Sequence, residues 1–179
     1  MPAASPDQTL TPHSDAAFLD AMSALAGGVC VVTSTTADGR PVGFTSTAVM
    51  SLSRDPRLLA IGVGRHSRTL PFLLETGRFA LNVLHAGGED VSRRFADSGA
   101  DRFGDLDWEQ ADDLPLLGGH SSHMMVCRVQ QDVPAGDHRL IIGLVEKVLP
   151  GLGHVAGSLV YLGRDYHPLR HPAEFGGGS

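Results

Sequence analysis

The chain has 179 residues, 42% of them hydrophobic and 19% charged, which suits one domain with a sizeable core and excludes a disordered chain. Its net charge of −6 without a basic stripe excludes a general nucleic-acid binder; of its 14 basic residues only Lys147 is a lysine. No apolar run approaches the roughly 20 residues of a membrane span, and no basic segment followed by an apolar one opens the chain, so a cytoplasmic protein is expected.

Residues 1–13 are rich in Pro, Ala, Ser and Thr and are expected to be disordered. Residues 14–170 are expected to form the single domain, and residues 171–179 a flexible tail ending Gly176-Gly177-Gly178-Ser179. Ser14 is placed to cap a helix through about Ala26, with Phe18, Met22 and Leu25 on one stripe and Gly27-Gly28 as its stop. Residues 29–35 are β-branched and predict a strand. Asp38-Gly39 centres a turn, and the chain returns as a second strand over 42–52 to make a hairpin. Residues 57–63 predict a strand and 67–75 a helix, with Pro71 near its first turn and Gly77 as its stop. A strand over 78–84 and a short helix over 89–96 follow. Residues 97–119 are acidic, Gly-rich and weakly patterned, and are expected as a long surface excursion. Two long strands, 122–131 and 138–149, are joined by residues 132–137, and strands at 159–162 and 166–169 complete the sheet. Many short strands, few helices and tight turns predict a mainly β fold, an antiparallel barrel with a few attached helices.

Two segments carry the chemistry. Gly43-Phe44-Thr45-Ser46-Thr47-Ala48-Val49-Met50-Ser51-Leu52-Ser53 is small and hydroxyl-rich, so its backbone can approach a flat polar ligand. Gly136-Asp137-His138 puts an acid and an imidazole at the mouth of a buried strand. Alone it reads as a hairpin turn; at the rim of a barrel its side chains reach over a ligand bound in the mouth. Gly62-Val63-Gly64-Arg65-His66-Ser67 is similar to a dinucleotide fingerprint, but its surroundings are not a βαβ unit. As the start of a helix, Ser67, Arg68 and Thr69 offer hydroxyls, a guanidinium and free N–H groups to an anion; the other reading is an ordinary capped helix. His120-Ser121-Ser122-His123 does not suit a metal, because residues three apart on a strand face opposite sides, and no metal site is expected. Cys30 and Cys127 lie in apolar runs and are expected as buried thiols.

Taken in order, Ala26-Gly27-Gly28-Val29, Val31-Val32-Thr33, Asp38-Gly39, Gly43-Phe44-Thr45, Met50-Ser51-Leu52-Ser53 with Asp55-Pro56, residues 79–84, Phe95-Ala96, Asp101-Arg102-Phe103, Gly136-Asp137-His138 and Gly143-Leu144-Val145 resemble the short-chain flavin reductases. These are the NAD(P)H-dependent reductase components of two-component flavin monooxygenases. The resemblance implies a split β-barrel that binds FAD or FMN as a homodimer, takes hydride from NADH or NADPH, and supplies reduced flavin to a separate monooxygenase. It maps flavin contacts onto Thr45, Ser46, Thr47 and Ala48, onto Ser51 and Ser53, onto Ser67 and Thr69, and onto Asn82 and Arg94. Gly136 and Asp137 join the cofactor-binding set, and His138 falls on the nicotinamide side as the catalytic residue. The chain departs from the family pattern at Thr45-Ser46-Thr47-Ala48-Val49, where many relatives read Thr-Ala-Ser-Ser-Phe, and at Arg57, where they carry a second proline. The alternatives are a flavoprotein that keeps its flavin and acts on another substrate, and a non-catalytic flavin-binding protein.

Overall fold

The structure is a computed structural model and describes residues 15–99, 101–153 and 157–170. The expected cap at Ser14, the expected disorder of residues 1–13 and the expected tail at 171–179 lie outside the described residues. Helix α1 (Asp15–Ser23) precedes β1 (Gly27–Gly28), then β2 (Cys30–Thr35) and β3 (Pro41–Ser46), which form a hairpin. Next come β4 (Val49–Ser53), β5 (Leu58–Gly64), α2 (Leu70–Thr76), β6 (Arg78–Leu84) and α3 (Glu89–Ala96). A small hairpin of β7 (Glu109–Ala111) and β8 (Leu114–Leu116) leads into the long β9 (Ser121–Ala135) and β10 (His138–Pro150). The last strands are β11 (Ser158–Leu162) and β12 (Asp165–Leu169).

Seven strands form one antiparallel sheet in the order β3-β2-β6-β9-β10-β5-β4. β3 and β4 occupy its two opposite edges, yet only Thr47 and Ala48 separate them in sequence. Such a link reaches on the order of 10 Å, so the sheet must curl until its edges meet. The result is a barrel with an open seam, the split barrel that the resemblance implied. The expected single strand over 42–52 is corrected to two strands, because closure breaks a run that local β-propensity would keep continuous.

Alternation sets the layers. Val32, Leu59, Ile61, Val63, Phe79, Leu81, Cys127 and Ile141 point into the barrel, and Leu70 and Leu73 of α2 plug one end. Each such fully buried aliphatic or aromatic side chain contributes roughly 1.5–3 kcal/mol. Gly143 is required there: a Cβ would lie 2.6 Å from the Phe79 ring. The outer face of β2 and β6 is covered by Val91 and Phe95 of α3 with Phe103, Leu117 and Leu159. Leu114 and Leu116 of β8 cover the outer face of β6 and β9.

Four further expectations are corrected. Residues 97–119 are not merely a surface excursion, since Phe103, Leu114, Leu116 and Leu117 are buried; the acids and glycines around them hid that short apolar code. β11 and β12 do not extend the barrel sheet but pair with β1 as a separate three-stranded sheet, because the only free edges of the barrel face the seam. The linker expected over 132–137 shrinks to the two-residue turn Gly136-Asp137, with Gly136 at φ 62, where a glycine carries no Cβ penalty. α2 begins at Leu70 rather than Ser67 and ends as expected at Gly77, whose N–H donates to the Leu73 carbonyl at 3.1 Å.

Candidate active site

His138 is the first residue of β10, paired with Ala135 of β9 and with Gly64 of β5. Ile141 faces the core, so alternation turns His138 outward. Its Nδ1 lies 2.8 Å from Oδ1 of Asp137. The hydrogen bond from His138, then its charge, holds the Asp137 carboxyl below the usual carboxylate range. An ionised carboxylate only accepts, so the proton of this contact sits on Nδ1 and Nε2 is left facing outward from the pair. Nε2 lies 3.9 Å from the place a Cβ would take on Gly64, and Cδ2 lies 3.9 Å from that on Gly62. The Ala48 methyl would meet a Gly62 Cβ at 3.0 Å, and its carbonyl accepts the Gly62 N–H at 2.7 Å. The Arg65 N–H donates to the Asp137 carbonyl at 3.0 Å and ties the turn to the end of β5.

The imidazole therefore overhangs a floor made of backbone. Sequence reasoning set Gly62 and Gly64 aside with the dinucleotide motif and missed their role. The available signal was their spacing: two glycines two apart in a strand clear side chains from one face of it.

The other expected residues distribute around the seam. Thr45 Oγ1 donates to the Ser92 carbonyl at 2.7 Å, and the buried Ser46 Oγ accepts the Ala48 N–H at 3.2 Å. Thr47 and Ala48 are exposed and border a cavity of about 480 Å³ against Leu19, Met22 and Leu25 of the α1 segment. Ser51 and Ser53 line a second cavity, about 230 Å³, with Leu81, Met125 and Val145. Thr69 lines a third, about 390 Å³, with Arg68, Arg102 and Gly43. Ser67 Oγ accepts the Thr69 N–H at 3.3 Å.

Asn82 and Arg94 are not brought to these openings. Asn82 is fully buried; its Nδ2 donates to the Val31 carbonyl and to Thr33 Oγ1, both at 3.1 Å, and its Oδ1 accepts the Leu117 N–H at 2.9 Å. Arg94 pairs with Asp105 at 2.7 Å and donates to the Asp101 carbonyl, bracing the loop after α3. Cys30 and Cys127 are buried free thiols, as expected, and burial pushes each up to about 12. His120 is half-buried and titrates below the ordinary range, first through burial and then through the charge of His85.

The sequence profile of the flavin reductase like domain matches residues 22–170. The chain belongs to the flavin reductase-like family. It is 43% identical over 159 residues to the flavin reductase (NADH) of Kitasatospora aureofaciens, covering 88% of this chain and 82% of that one. It is 35% identical over 157 residues to the reductase component of 4-hydroxyphenylacetate 3-monooxygenase of Thermus thermophilus, covering 88% and 98%. The match to the probable flavin reductase of Rhizobium meliloti, 39% identical over 146 residues, covers 79% of this chain and only 47% of that longer protein. Among solved structures, the NADH:FAD oxidoreductase SgcE6 of Streptomyces globisporus, in complex with NAD and FAD fragments, superposes with a TM-score of 0.82 at 25% identity, covering 94% of this chain and all of that one. Flavin reductase PheA2 in its native state gives 0.79 at 28% identity, covering 89% and 100%. Among the described residues no helix is long and apolar enough to cross a membrane.

Proposed function

We infer that this family member is an NAD(P)H-dependent flavin reductase that releases reduced FAD or FMN to a separate flavin-dependent monooxygenase. The observation that carries the reading is the Asp137–His138 pair overhanging the side-chain-free floor of Gly62 and Gly64 beside the exposed Thr47-Ala48 link. A Cβ on Gly62 would collide with Ala48, so this glycine lets the Thr47-Ala48 link pack onto β5 and offer its backbone to a flat ring system. Relatives named as NADH-dependent, NADPH-dependent and monooxygenase reductase components support it. Hydride passes from nicotinamide to flavin, and the cofactors supply that chemistry. In this proposal the protein orients them. The Thr45–Ala48 backbone and the Ser51 and Ser53 hydroxyls flank the flavin, Ser67 and Thr69 lie toward its phosphate, and Asp137 fixes His138 against the nicotinamide. Purified protein assayed with NADH or NADPH against FAD, FMN and riboflavin should oxidise the nicotinamide. Loss of its absorbance in none of the six pairings would refute the reading.

The proposed assembly is a homodimer. α1 buries none of its residues; Phe18 is exposed, and Leu19, Met22 and Leu25 are exposed beside the Thr47-Ala48 link. The segment 97–119 spends its apolar residues on its own barrel, which leaves α1 to meet a second copy and wall the ligand site. Light scattering at low micromolar concentration is expected to give twice the 18.9 kDa chain mass. A monomer that reduces flavin at full rate would exclude it.

A further inference from the structure

At the turn between β11 and β12 the sequence works against its own backbone. Leu162 pairs with Asp165, which leaves Gly163-Arg164 as a two-residue loop with both residues left-handed, at φ 61 and 66. Such a loop favours Asn-Gly. Among the described residues only Asp112, Asp113 and Arg164 carry a side chain at positive φ, and aspartate tolerates that region better than arginine does. A glycine at 164 would relieve the strain, so the outlier points to a use for the side chain. Arg164 lines the cavity of about 480 Å³ beside Thr47, Ala48 and Tyr161. The Gly163 N–H donates to the Ser23 carbonyl at 2.7 Å, which moors the turn to the end of α1 and keeps the arginine at the cavity. Arg164 is the one charged group of the lining and makes no ion pair among the described residues. The carboxylates nearby in the chain are engaged or face elsewhere. Asp165 Oδ1 accepts the Tyr166 N–H at 2.8 Å, and its charge acts on Arg93. Asp15 and Asp20 belong to α1, yet neither lines the cavity.

A lone cation in an otherwise uncharged cavity is a receptor for an anion, and a guanidinium suits a phosphate. Ala48 joins this cavity to His138. Its methyl stands 3.0 Å, and His138 Cδ2 3.9 Å, from the same point, the place a Cβ would take on Gly62. An anion held by Arg164 therefore belongs to the molecule that lies against His138, which is the nicotinamide in the reading above; the flavin phosphate has its own place there at Ser67 and Thr69. We propose that Arg164 binds a phosphate of the nicotinamide dinucleotide, either its pyrophosphate or the 2′-phosphate of NADPH, and so determines the affinity for the hydride donor. The proposal rests on the flavin reductase reading.

The test is steady-state reduction of saturating flavin by the full chain, with NADH, NADPH and the phosphate-free donor 1-benzyl-1,4-dihydronicotinamide. Arg164→Gly removes the cation and suits the turn, so it is expected to melt no lower than the parent. Its KM for dinucleotide should rise on the order of 10-fold, in the range of hydrogen bonds to charged groups, while kcat and the KM for the phosphate-free donor stay within about 3-fold of the parent. Arg164→Lys should recover part of the loss, since it restores the charge without the planar fork. An equal rise for NADH and NADPH places the arginine at the pyrophosphate, and a rise confined to NADPH places it at the 2′-phosphate. Unchanged KM for both dinucleotides, or an equal rise for the phosphate-free donor, would overturn the assignment. So would weakened FMN in a flavin titration with the KM for dinucleotide intact. If Arg164→Gly does not fold, Arg164→Gln decides by the same comparison. A parent protein that oxidises none of the three donors with any flavin defeats the reductase reading instead, whereas a working reductase indifferent to these substitutions defeats only this placement.

Discussion

Replacing His138 with alanine is expected to lower NAD(P)H-dependent flavin reduction by about 100-fold, a typical size for loss of one positioned acid–base or orienting group. Flavin affinity should change by less than about 3-fold. The split follows from geometry. His138 stands on the outer face of β10, its Nδ1 engaged by Asp137, and the far edge of its ring lies 3.9 Å from where a Cβ would stand on Gly62 and on Gly64. Removing the ring therefore opens room above the floor without disturbing the strands that make it. Asp137→Asn should produce a smaller loss of the same kind, because an amide can still meet Nδ1 but no longer favours one tautomer. Pre-steady-state reduction, read separately from flavin titration, checks both. Equal losses of rate and affinity would make His138 a structural turn residue, and normal turnover would remove it from the site.

The largest stability effect is expected at Asn82. Asn82→Leu strands the Leu117 N–H and removes the donors to Val31 and Thr33 inside a fully buried site. Thr33 in turn donates to the Pro115 carbonyl at 2.5 Å, so the side chain is the centre of a network pinning the Pro115–Leu117 segment to the barrel. Loss of a buried hub costs about 3 kcal/mol, which lowers the melting temperature by on the order of 10 °C for a domain of this size. Flavin affinity of the folded fraction, measured well below the transition, should be retained. A variant that melts normally but binds flavin weakly would return Asn82 to the ligand.

Much of this was legible in the chain because the code was local. Runs of β-branched and apolar residues marked the strands expected over 29–35, 57–63 and 78–84, which the structure places at 30–35, 58–64 and 78–84, and the short helix expected over 89–96 is α3 to the residue. Gly136-Asp137-His138 declared its turn and its rim position in three letters. The seam was not legible, because no residue between Val42 and Leu52 encodes which distant strand the second half will join. That decision belongs to closure of the whole sheet. Leu114, Leu116 and Leu117 were lost in an acidic, glycine-rich neighbourhood for a similar reason: a single short strand packed onto an outer face has too few residues to show a period. Asn82 is the instructive case for the site. Its polarity invited a ligand, while its partners are backbone groups far away in sequence.

The Thr47-Ala48 link has a consequence for how anything enters and leaves. Six strand ladders hold the barrel round, and along the remaining line there is none: its two lips are joined by a short tether. A ladder resists separation cooperatively, whereas an unladdered line can part at the cost of side-chain contacts and a few isolated hydrogen bonds. Small movements along that line would widen or narrow the outward-facing surface at Thr47-Ala48, and so ease a broad, rigid guest onto and off it, without unzipping a strand.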